Sequence, residues 1–223
     1  EDELNQVLRE ESVCVKITDE AWGRMRKEDK TIQLLDSMVH FKMKFKPDGT
    51  FDKPKCRIVV RGDQQEIGSA GETYAACPRR SSFRLIVALA AARGLELSSV
   101  DISGAFLQEE LETGKGKDVY VKFLTSKWEK RATKNTIVKL RRSLYGLRQA
   151  PRCFQQGLFT FLEQEGYVAT VADPCVFRKK LEDGSDQTVL AHVDDLLIMG
   201  KDAAANKSLH TTLLRKYQKV SWE

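Results

Sequence analysis

Two adjacent aspartates, Asp194 and Asp195, interrupt an otherwise apolar stretch, VLAHVDDLLIMG at residues 189–200. The runs on either side are rich in aliphatic residues, so they predict two strands that meet at a tight turn. Two carboxylates in such surroundings are costly unless they are hydrogen-bonded, paired or bound to a cation. Asp-Asp is also ordinary turn chemistry, so the pair by itself leaves a purely structural turn open.

A third acid follows the same rule elsewhere in the chain. Asp101 ends the short apolar strand that is predicted within LSSVDIS, residues 97–103. If this strand neighbours the Asp194-Asp195 hairpin in one sheet, the three carboxylates converge on a set of oxygen ligands, which suits Mg²⁺. Two such ions support nucleotidyl transfer, one at the attacking 3′-oxygen and the other at the leaving pyrophosphate.

The remaining pattern predicts helices mixed with adjacent hairpins. Alternating residues predict a hairpin over 39–46 and 55–62, with its turn at Asp48-Gly49. Further strands are predicted over 119–123, 136–141, 175–180, 188–193 and 196–200. Helices are predicted from an N-cap at Ser81-Ser82 to Arg93, from about Pro151 to Gly166, and from a cap at Asp202 to about Tyr217. This order of elements indicates an α+β fold.

Charge is distributed unevenly along the 223 residues, which carry 37 Lys and Arg against 32 Asp and Glu, a net charge of +5. Residues 40–62 hold seven basic and two acidic side chains, and residues 130–152 hold eight basic side chains and no acid. Residues 1–30 are net acidic, with nine acids and six bases. Two basic blocks are what a polyanion site needs, although solvated charged faces also explain them.

Composition argues against several other classes of protein. Five scattered cysteines without a Cys-x-x-Cys pair, and only three histidines, argue against a disulfide framework or a zinc site and favour a reducing, intracellular compartment. The longest apolar run, residues 85–92, is too short to span a bilayer, so no membrane association is expected. The acidic start is unlike a signal peptide.

Five segments carry a family resemblance. They are KCRIVVRGDQQ (55–65), ETYAACPRRSSFRLIVALAAARG (72–94), VDISGAFLQEELETGKGKDVYVK (100–122), KLRRSLYGLRQAPRCF (139–154) and HVDDLLIMG (192–200). In order and spacing they resemble the reverse transcriptase domain of the Ty1/copia class of LTR retrotransposons. The combination of SLYGLRQAPR with VDD downstream is the most specific part of the match.

The resemblance implies the fingers and palm of a right-hand polymerase, an α+β fold whose palm is ferredoxin-like with an antiparallel sheet. It assigns residues 35–95 to the fingers and 96–200 to the palm, with a fingers insertion near 125–152. Residues 201–223 are expected to form the palm C-terminal helix and the start of a truncated primer grip, and the thumb is expected to be missing or truncated. Residues 1–34 are an acidic segment that matches poorly.

The resemblance also assigns the chemistry of the palm. Asp101, Asp194 and Asp195 match the catalytic aspartates that hold two Mg²⁺ ions, with the backbone of Ile102 as a further ligand and Mn²⁺ as a substitute. The nucleotide-binding residues that follow Ile102 are Ser103, Gly104, Ala105 and Phe106. Phe106 matches the aromatic residue that rejects a 2′-hydroxyl, and a core phenylalanine is the alternative.

The resemblance assigns further roles to residues elsewhere in the chain. Lys55 and Arg57 match the cations that grip the triphosphate, although Lys55 also fits an exposed hairpin face. Gln149 matches a glutamine of the nucleotide pocket. The residues expected to contact template or primer are Arg148, Arg152 and His192. His192 stands where the family has Tyr or Phe, which predicts pH dependence near neutrality.

The function implied is RNA-directed DNA polymerase activity, in which a nucleotidyltransferase extends a primer on an RNA template from deoxynucleoside triphosphates. Other segments of a polyprotein or a ribonucleoprotein would supply the thumb and RNase H, in a cytoplasmic virus-like particle, the nucleus or an organelle. One alternative is a domesticated copia remnant that binds RNA as a structural protein. A generic RNA-binding α+β domain is another, but it does not explain the ordered motifs.

Overall fold

The computed structural model describes residues 12–112, 118–123 and 136–222. Its described residues form four α-helices and ten strands, and the strands make two five-stranded sheets. Each sheet belongs to its own compact unit. The first unit contains the described residues up to Thr73 and Glu109–Cys153, and the second contains Tyr74–Gln108 and the chain from Phe154 onward. The predicted mixture of helices and hairpins is confirmed.

The first unit is a mostly antiparallel sheet with one described helix. Its elements are β1 (Cys14–Ile17), α1 (Asp19–Glu28), β2 (Leu34–Phe45), β3 (Phe51–Val60), β5 (Tyr120–Phe123) and β6 (Thr136–Leu140). The strand order is β1-β6-β5-β2-β3, and only β2 and β5 run parallel. Neither β1 nor α1 was predicted, because β1 is four residues long and α1 buries no residue, so neither has a strong apolar pattern.

The predicted hairpin of this unit is confirmed, with β2 beginning earlier than the pattern indicates. Its turn uses favourable local chemistry, since Gly49 takes a φ of +82° and Asp48 Oδ1 accepts the backbone N–H of Thr50 at 2.9 Å. Most of the hairpin extends into solvent, and Phe41 and Phe45 are each 62% exposed.

The second unit holds an antiparallel sheet between helices. Its elements are α2 (Arg80–Arg93), β4 (Glu96–Asp101), most of α3 (Ala150–Gln164), β7 (Val168–Ala169), β8 (Val176–Lys180), β9 (Asp186–His192), β10 (Asp195–Gly200) and α4 (Ala203–Lys216). The strand order is β4-β10-β9-β8-β7, with every neighbouring pair antiparallel. All these strands except the two-residue β7 were predicted from the sequence.

Both faces of this second sheet are covered. On one face, Leu196 and Ile198 of β10 join a buried cluster with side chains of α3 and α4. On the other face, Leu190 and Met199 pack with Ile86 of α2. Because β9 and β10 are buried on both sides, their sequence reads as continuous apolar runs rather than as an alternation.

Helix ends agree with the sequence in two cases and differ in one. Asp202 caps α4 by accepting the N–H of Ala205 at 2.7 Å, and Gly94 ends α2 in the left-handed region with φ of +63°. The prediction that Ser81-Ser82 caps α2 was wrong. Arg79 occupies the N-cap position, and its own side chain makes no capping hydrogen bond.

Several predicted features lie wholly or partly outside the described residues. They are the first eleven residues of the acidic segment, the polar loop between β5 and β6, and part of the 125–152 insertion with its basic side chains. Within the described ranges, no helix has both the length and the apolar character needed to cross a membrane.

Candidate active site

Asp101 and Asp195 lie directly opposite each other on neighbouring strands. They are paired positions in the antiparallel ladder of β4 and β10. Directly opposed residues project from the same face of a sheet, with Cβ atoms about 4.5–5.5 Å apart, and like charges in this arrangement are destabilising. The two strands are therefore neighbours in one sheet, which is the condition on which the predicted convergence of the carboxylates depended.

Asp194 occupies the turn between β9 and β10. His192 pairs with Asp195, so Val193 and Asp194 are the two residues of a tight hairpin turn. Val193 has a φ of +56°, and it is the one residue other than glycine with positive φ in the described part of the chain. A β-branched side chain in the left-handed region is strained by about 1–2 kcal/mol. Strain of this kind gathers at functional sites, where the surrounding structure holds it in place.

Hydrogen bonds fix the backbone around the three acids. The N–H of Ile102 donates to the carbonyl of Asp194 at 2.9 Å, which ties the turn to the end of β4. The hydroxyl of Ser103 donates to Asp101 Oδ2 at 3.0 Å. The N–H of Ser221 donates to the carbonyl of Asp101 at 2.9 Å, so the segment after α4 also braces this strand end.

The next four residues form a tight turn against the core. Gly104 has a φ of +66°, and a 3₁₀ turn begins at Ala105. Phe106 is half-buried and packs edge-on against Phe154, with ring centroids 6.2 Å apart. This position fits a core role and still leaves part of the ring accessible, so the predicted steric role of Phe106 stays a prediction.

The donor set suits a hard divalent cation. Carboxylate oxygens are the ligands that Mg²⁺ prefers, and the opposition of Asp101 and Asp195 gives a direct reason for a cation between them. In the described ranges, however, no three acidic, His or Cys side chains are gathered closely enough to form a ready-made metal cluster. The chemistry of the residues fits the ion, and a metal centre remains a proposal.

A basic groove lies beside the acids within the second unit. It has a volume of about 670 Å³. His192 and Asp195 line one side, and residues at the start of α2 line another, namely Arg79, Arg80, Phe83 and Arg84. The sequence predicted their helix but assigned these arginines no role, although they stand in the second motif segment.

Asp173 holds the start of α2 in place. This side chain is 2% exposed. It accepts hydrogen bonds from the hydroxyl of Ser82 at 2.6 Å and from the N–H groups of Arg79 at 2.8 Å and Cys175 at 3.0 Å. Burial raises the pKa of Asp173, but these hydrogen bonds outweigh it and leave the pKa below its ordinary value. No sequence signal marked this residue.

The cationic candidates of the first unit lie on the hairpin of β2 and β3. Lys42 opposes Lys55, and Lys44 opposes Lys53, so one face of the hairpin carries like charges across the strands. Arg57 lies further along the same strand, with its guanidinium 5.2 Å from the centre of the Tyr145 ring. A cation–π contact of this kind orients the guanidinium without neutralising it.

The other candidates of the first unit lie around a tightly packed loop. Gly146 approaches β3 so closely that a Cβ there would lie 2.0 Å from the carbonyl of Val60. Arg148 donates from Nε to the carbonyl of Gly62 at 2.9 Å, and Gln149 is 1% exposed. Arg152 forms an ion pair with Glu72 at 3.3 Å.

The structure therefore gathers the predicted residues into two sets. In the second unit, one strand end and one turn hold Asp101, Ile102, Ser103, Gly104, Ala105, Phe106, His192, Asp194 and Asp195. In the first unit, β3, the loop before α3 and the first turn of α3 hold Lys55, Arg57, Arg148, Gln149 and Arg152. Sequence reasoning missed Gln65, a buried partner of Gln149, although it stands at the end of the first motif segment.

Comparison with known proteins gives a consistent result. The family model described as reverse transcriptase (RNA-dependent DNA polymerase) matches residues 24–221. The retrovirus-related Pol polyprotein from transposon TNT 1-94 of Nicotiana tabacum is 33% identical over 79% of this chain, and that from transposon RE1 of Arabidopsis thaliana is 30% identical over 94%. A Ty1 Gag-Pol polyprotein of Saccharomyces cerevisiae is 28% identical over 96%. The chain spans only 13%, 14% and 11% of these three relatives.

Proposed function

Because this chain belongs to the reverse transcriptase (RNA-dependent DNA polymerase) family, we propose that it catalyses RNA-directed DNA synthesis as part of a copia-like retroelement protein. The observation that carries the proposal is the opposition of Asp101 and Asp195, with Asp194 on the strained turn next to them. Like charges that oppose each other across two strands weaken a sheet, and a bound cation would relieve this repulsion.

The acids of the second unit would hold Mg²⁺, with Mn²⁺ as a substitute. The proposed ligands are the carboxylates of Asp101, Asp194 and Asp195 and the backbone carbonyl of Ile102. When bound, two Mg²⁺ ions would supply Lewis-acid activation of the primer 3′-oxygen and neutralise charge on the triphosphate. The protein's own part is to keep the carboxylates in position, through the bond from Ile102 to the Asp194 carbonyl and the bond from Ser103 to Asp101.

Nucleotide binding is proposed for residues of both units, each through its own chemistry. Ser103, Gly104 and Ala105 form a turn whose backbone would face the triphosphate, and Phe106 would reject a 2′-hydroxyl by its bulk. Lys55 and Arg57 would neutralise phosphate charge. Gln149 would donate a hydrogen bond to the nucleotide.

Contacts to template and primer are proposed for Arg148, Arg152 and His192. The basic groove of the second unit supports nucleic-acid binding there, because Arg79, Arg80 and Arg84 line it and arginine side chains suit phosphates. RNA template, DNA primer and deoxynucleotides are the proposed partners, and other segments of a Pol polyprotein would supply thumb and RNase H functions.

We retain the fingers and palm assignment as part of the proposal. Residues 35–95 would be fingers, and 96–200 would be palm with the insertion near 125–152. Residues 201–223 would form the palm C-terminal helix and the start of the primer grip. A cytoplasmic virus-like particle or the nucleus is the proposed site of action.

Primer extension on poly(rA)/oligo(dT) with Mg²⁺ tests the function. Asp194→Asn and Asp195→Asn should each lower the extension rate at least about 100-fold, because metal-assisted charge stabilisation contributes several kcal/mol. Asp186→Asn is the matched control, an acid on β9 that is exposed and paired with Arg178, and it should extend normally. Wild-type activity in the two variants would refute the metal assignment. Tight RNA binding without extension by any of the proteins would favour the structural alternative.

A further inference from the structure

Gln149 presents a buried amide nitrogen. Its side chain is 1% exposed, and its Nε2 has no hydrogen-bond acceptor among the described residues. A buried donor without an acceptor is costly, so such a group is commonly completed by water, an ion or a ligand. This nitrogen is therefore a donor that a bound molecule would satisfy.

Two linked hydrogen bonds determine which atom of the Gln149 amide lacks a hydrogen-bond partner among the described residues. The backbone N–H of Arg148 can only donate, and it donates to Gln65 Oε1 at 2.9 Å. The Nε2 of Gln65 is thereby turned toward Gln149, and it donates to Gln149 Oε1 at 3.1 Å. Since Oε1 of Gln149 serves as the acceptor for Gln65, its Nε2 is left to donate elsewhere.

The backbone that carries Gln65 is fixed on several sides. Gln65 is 4% exposed and follows a 3₁₀ turn, Gly62–Gln64, to which its N–H donates at 3.1 Å. Gly62 packs so closely on Gly146 that a Cβ at residue 62 would lie 2.0 Å from the Gly146 carbonyl oxygen. Arg148 also clamps this turn through the carbonyl of Gly62. The orientation of the Gln65 amide is thus set by rigid neighbours.

We infer that Gln65 is a positioning residue, which holds the Gln149 amide so that Nε2 donates to an oxygen of the incoming deoxynucleotide. This role rests on the proposed function, in which Gln149 binds the nucleotide. Gln65 itself makes no substrate contact in this arrangement. Its effect is to exclude the flipped amide, which would offer an acceptor to the nucleotide and repel its oxygens.

Replacement of Gln65 by glutamate and by methionine separates positioning from packing. The ionised carboxylate that Gln65→Glu introduces has only acceptors, so it would draw Nε2 of Gln149 toward itself and turn Oε1 outward. We expect Gln65→Glu to raise the KM for dTTP about tenfold on poly(rA)/oligo(dT), the size of one hydrogen bond to a charged group. Gln65→Met only frees the amide to rotate, and a smaller rise of about threefold is expected.

A pH profile gives a signature that packing cannot produce. When the carboxyl introduced by Gln65→Glu is protonated, it donates to Gln149 Oε1 as the native amide does. The KM of this variant should therefore approach the wild-type value at low pH and rise as the pH increases, whereas the KM of Gln65→Met should keep a constant ratio to wild type. In a Gln149→Met background, Gln65→Glu should change the KM by less than about twofold, because the residue through which it acts is gone. Gln164→Glu, at an exposed site in α3, is the charge control.

Equilibrium titration of dTTP, measured without turnover, keeps this inference separate from polymerase activity. Two results would support positioning even if extension fails. Gln65→Glu should bind dTTP more weakly than Gln65→Met, which in turn binds it more weakly than wild type. In the Gln149→Met background, Gln65→Glu should cause no further loss of dTTP affinity. Equal affinities of wild type, Gln65→Glu and Gln65→Met across the pH range overturn it, even if extension persists. Loss of affinity that follows thermal destabilisation alone, without the pH signature, also overturns it.

Discussion

Two regions of the second unit place carboxylates beside apolar strands, and they treat the charge in opposite ways. Asp173 is buried, and three donors of its own unit converge on it. Asp101 and Asp195 are instead set against each other across two strands. The first arrangement completes itself within the protein. The second places like charges face to face, a repulsion that a bound cation would relieve, so Asp173 is a structural acid whereas the opposed pair is proposed to bind a cation.

The first unit repeats the second arrangement with the opposite sign. Lys42 and Lys55 face each other on the hairpin of β2 and β3, as do Lys44 and Lys53. Like charges across strands weaken a hairpin in isolation. An anionic ligand would reverse that penalty, just as a cation would at Asp101. Each unit therefore places like charges opposite each other on neighbouring strands.

The largest expected effect on stability is at the self-contained acid. Asp173→Ala should lower the free energy of unfolding by about 2–4 kcal/mol, because it leaves three donors, which belong to Arg79, Ser82 and Cys175, without their acceptor. Urea unfolding at neutral pH measures this change. Asp186→Ala, at an exposed position of the same sheet, should cost much less. Equal losses at the two sites would show that Asp173 contributes no more to stability than an exposed acid of the same sheet.

The pH dependence of stability gives a second test of the role of Asp173. The folded pKa of Asp173 lies below its ordinary value, since hydrogen bonds outweigh burial. Such a group contributes stability above its unfolded pKa of about 3.9 and loses that contribution as the pH falls through the folded pKa. Wild type should therefore lose stability more steeply below about pH 4 than Asp173→Asn, which has no carboxyl to titrate. Parallel curves for the two proteins would contradict the assignment.

The two hairpin turns allow an intermediate test. The turn of β2 and β3 places Gly49 at positive φ, whereas the turn of β9 and β10 places Val193 there. Val193→Gly should stabilise the protein by up to about 1 kcal/mol, because relief of backbone strain exceeds the entropy cost of glycine. Gly49→Ala should destabilise it by about 1 kcal/mol through strain alone, since a Cβ there meets nothing within 4 Å. Destabilisation in both variants would mean that Val193 is not strained.

Sequence patterns predicted most of this fold because the rules that they use are local. Turn residues such as Asp48-Gly49 and caps such as Asp202 satisfy their own neighbours. The start of α2 could not be predicted, because the carboxylate that holds it, Asp173, lies 94 residues from Arg79. The strands of the second unit could be predicted although polar and apolar residues do not alternate along them, because burial on both faces leaves continuous apolar runs.

The candidate site also contains residues that could be found from the sequence and residues that could not. Asp101, Asp194 and Asp195 stood out because they violate the apolar pattern of their strands. Gln65 did not, because a polar residue in a polar loop violates nothing, and only its contacts with Arg148 and Gln149 give it a role. The strand register that places Asp101 opposite Asp195 likewise depends on tertiary structure, so from the sequence it could only be assumed.

The smallest expected effect concerns this opposed pair. Without divalent metal, Asp195→Asn should stabilise the folded chain by about 0.2–1 kcal/mol, because it removes a like charge across the strands. With Mg²⁺ present, wild type should gain stability, since an ion that binds only the folded state shifts the unfolding equilibrium, and the variant should gain less. Thermal unfolding in EDTA and in Mg²⁺ measures both effects. Asp195→Asn should be more stable than wild type in EDTA, and Mg²⁺ should narrow or reverse this difference in stability. Asp186→Asn should follow wild type in both conditions. If Asp195→Asn is the less stable protein in EDTA, its carboxylate is a structural acid like Asp173, and the contrast between the two regions fails.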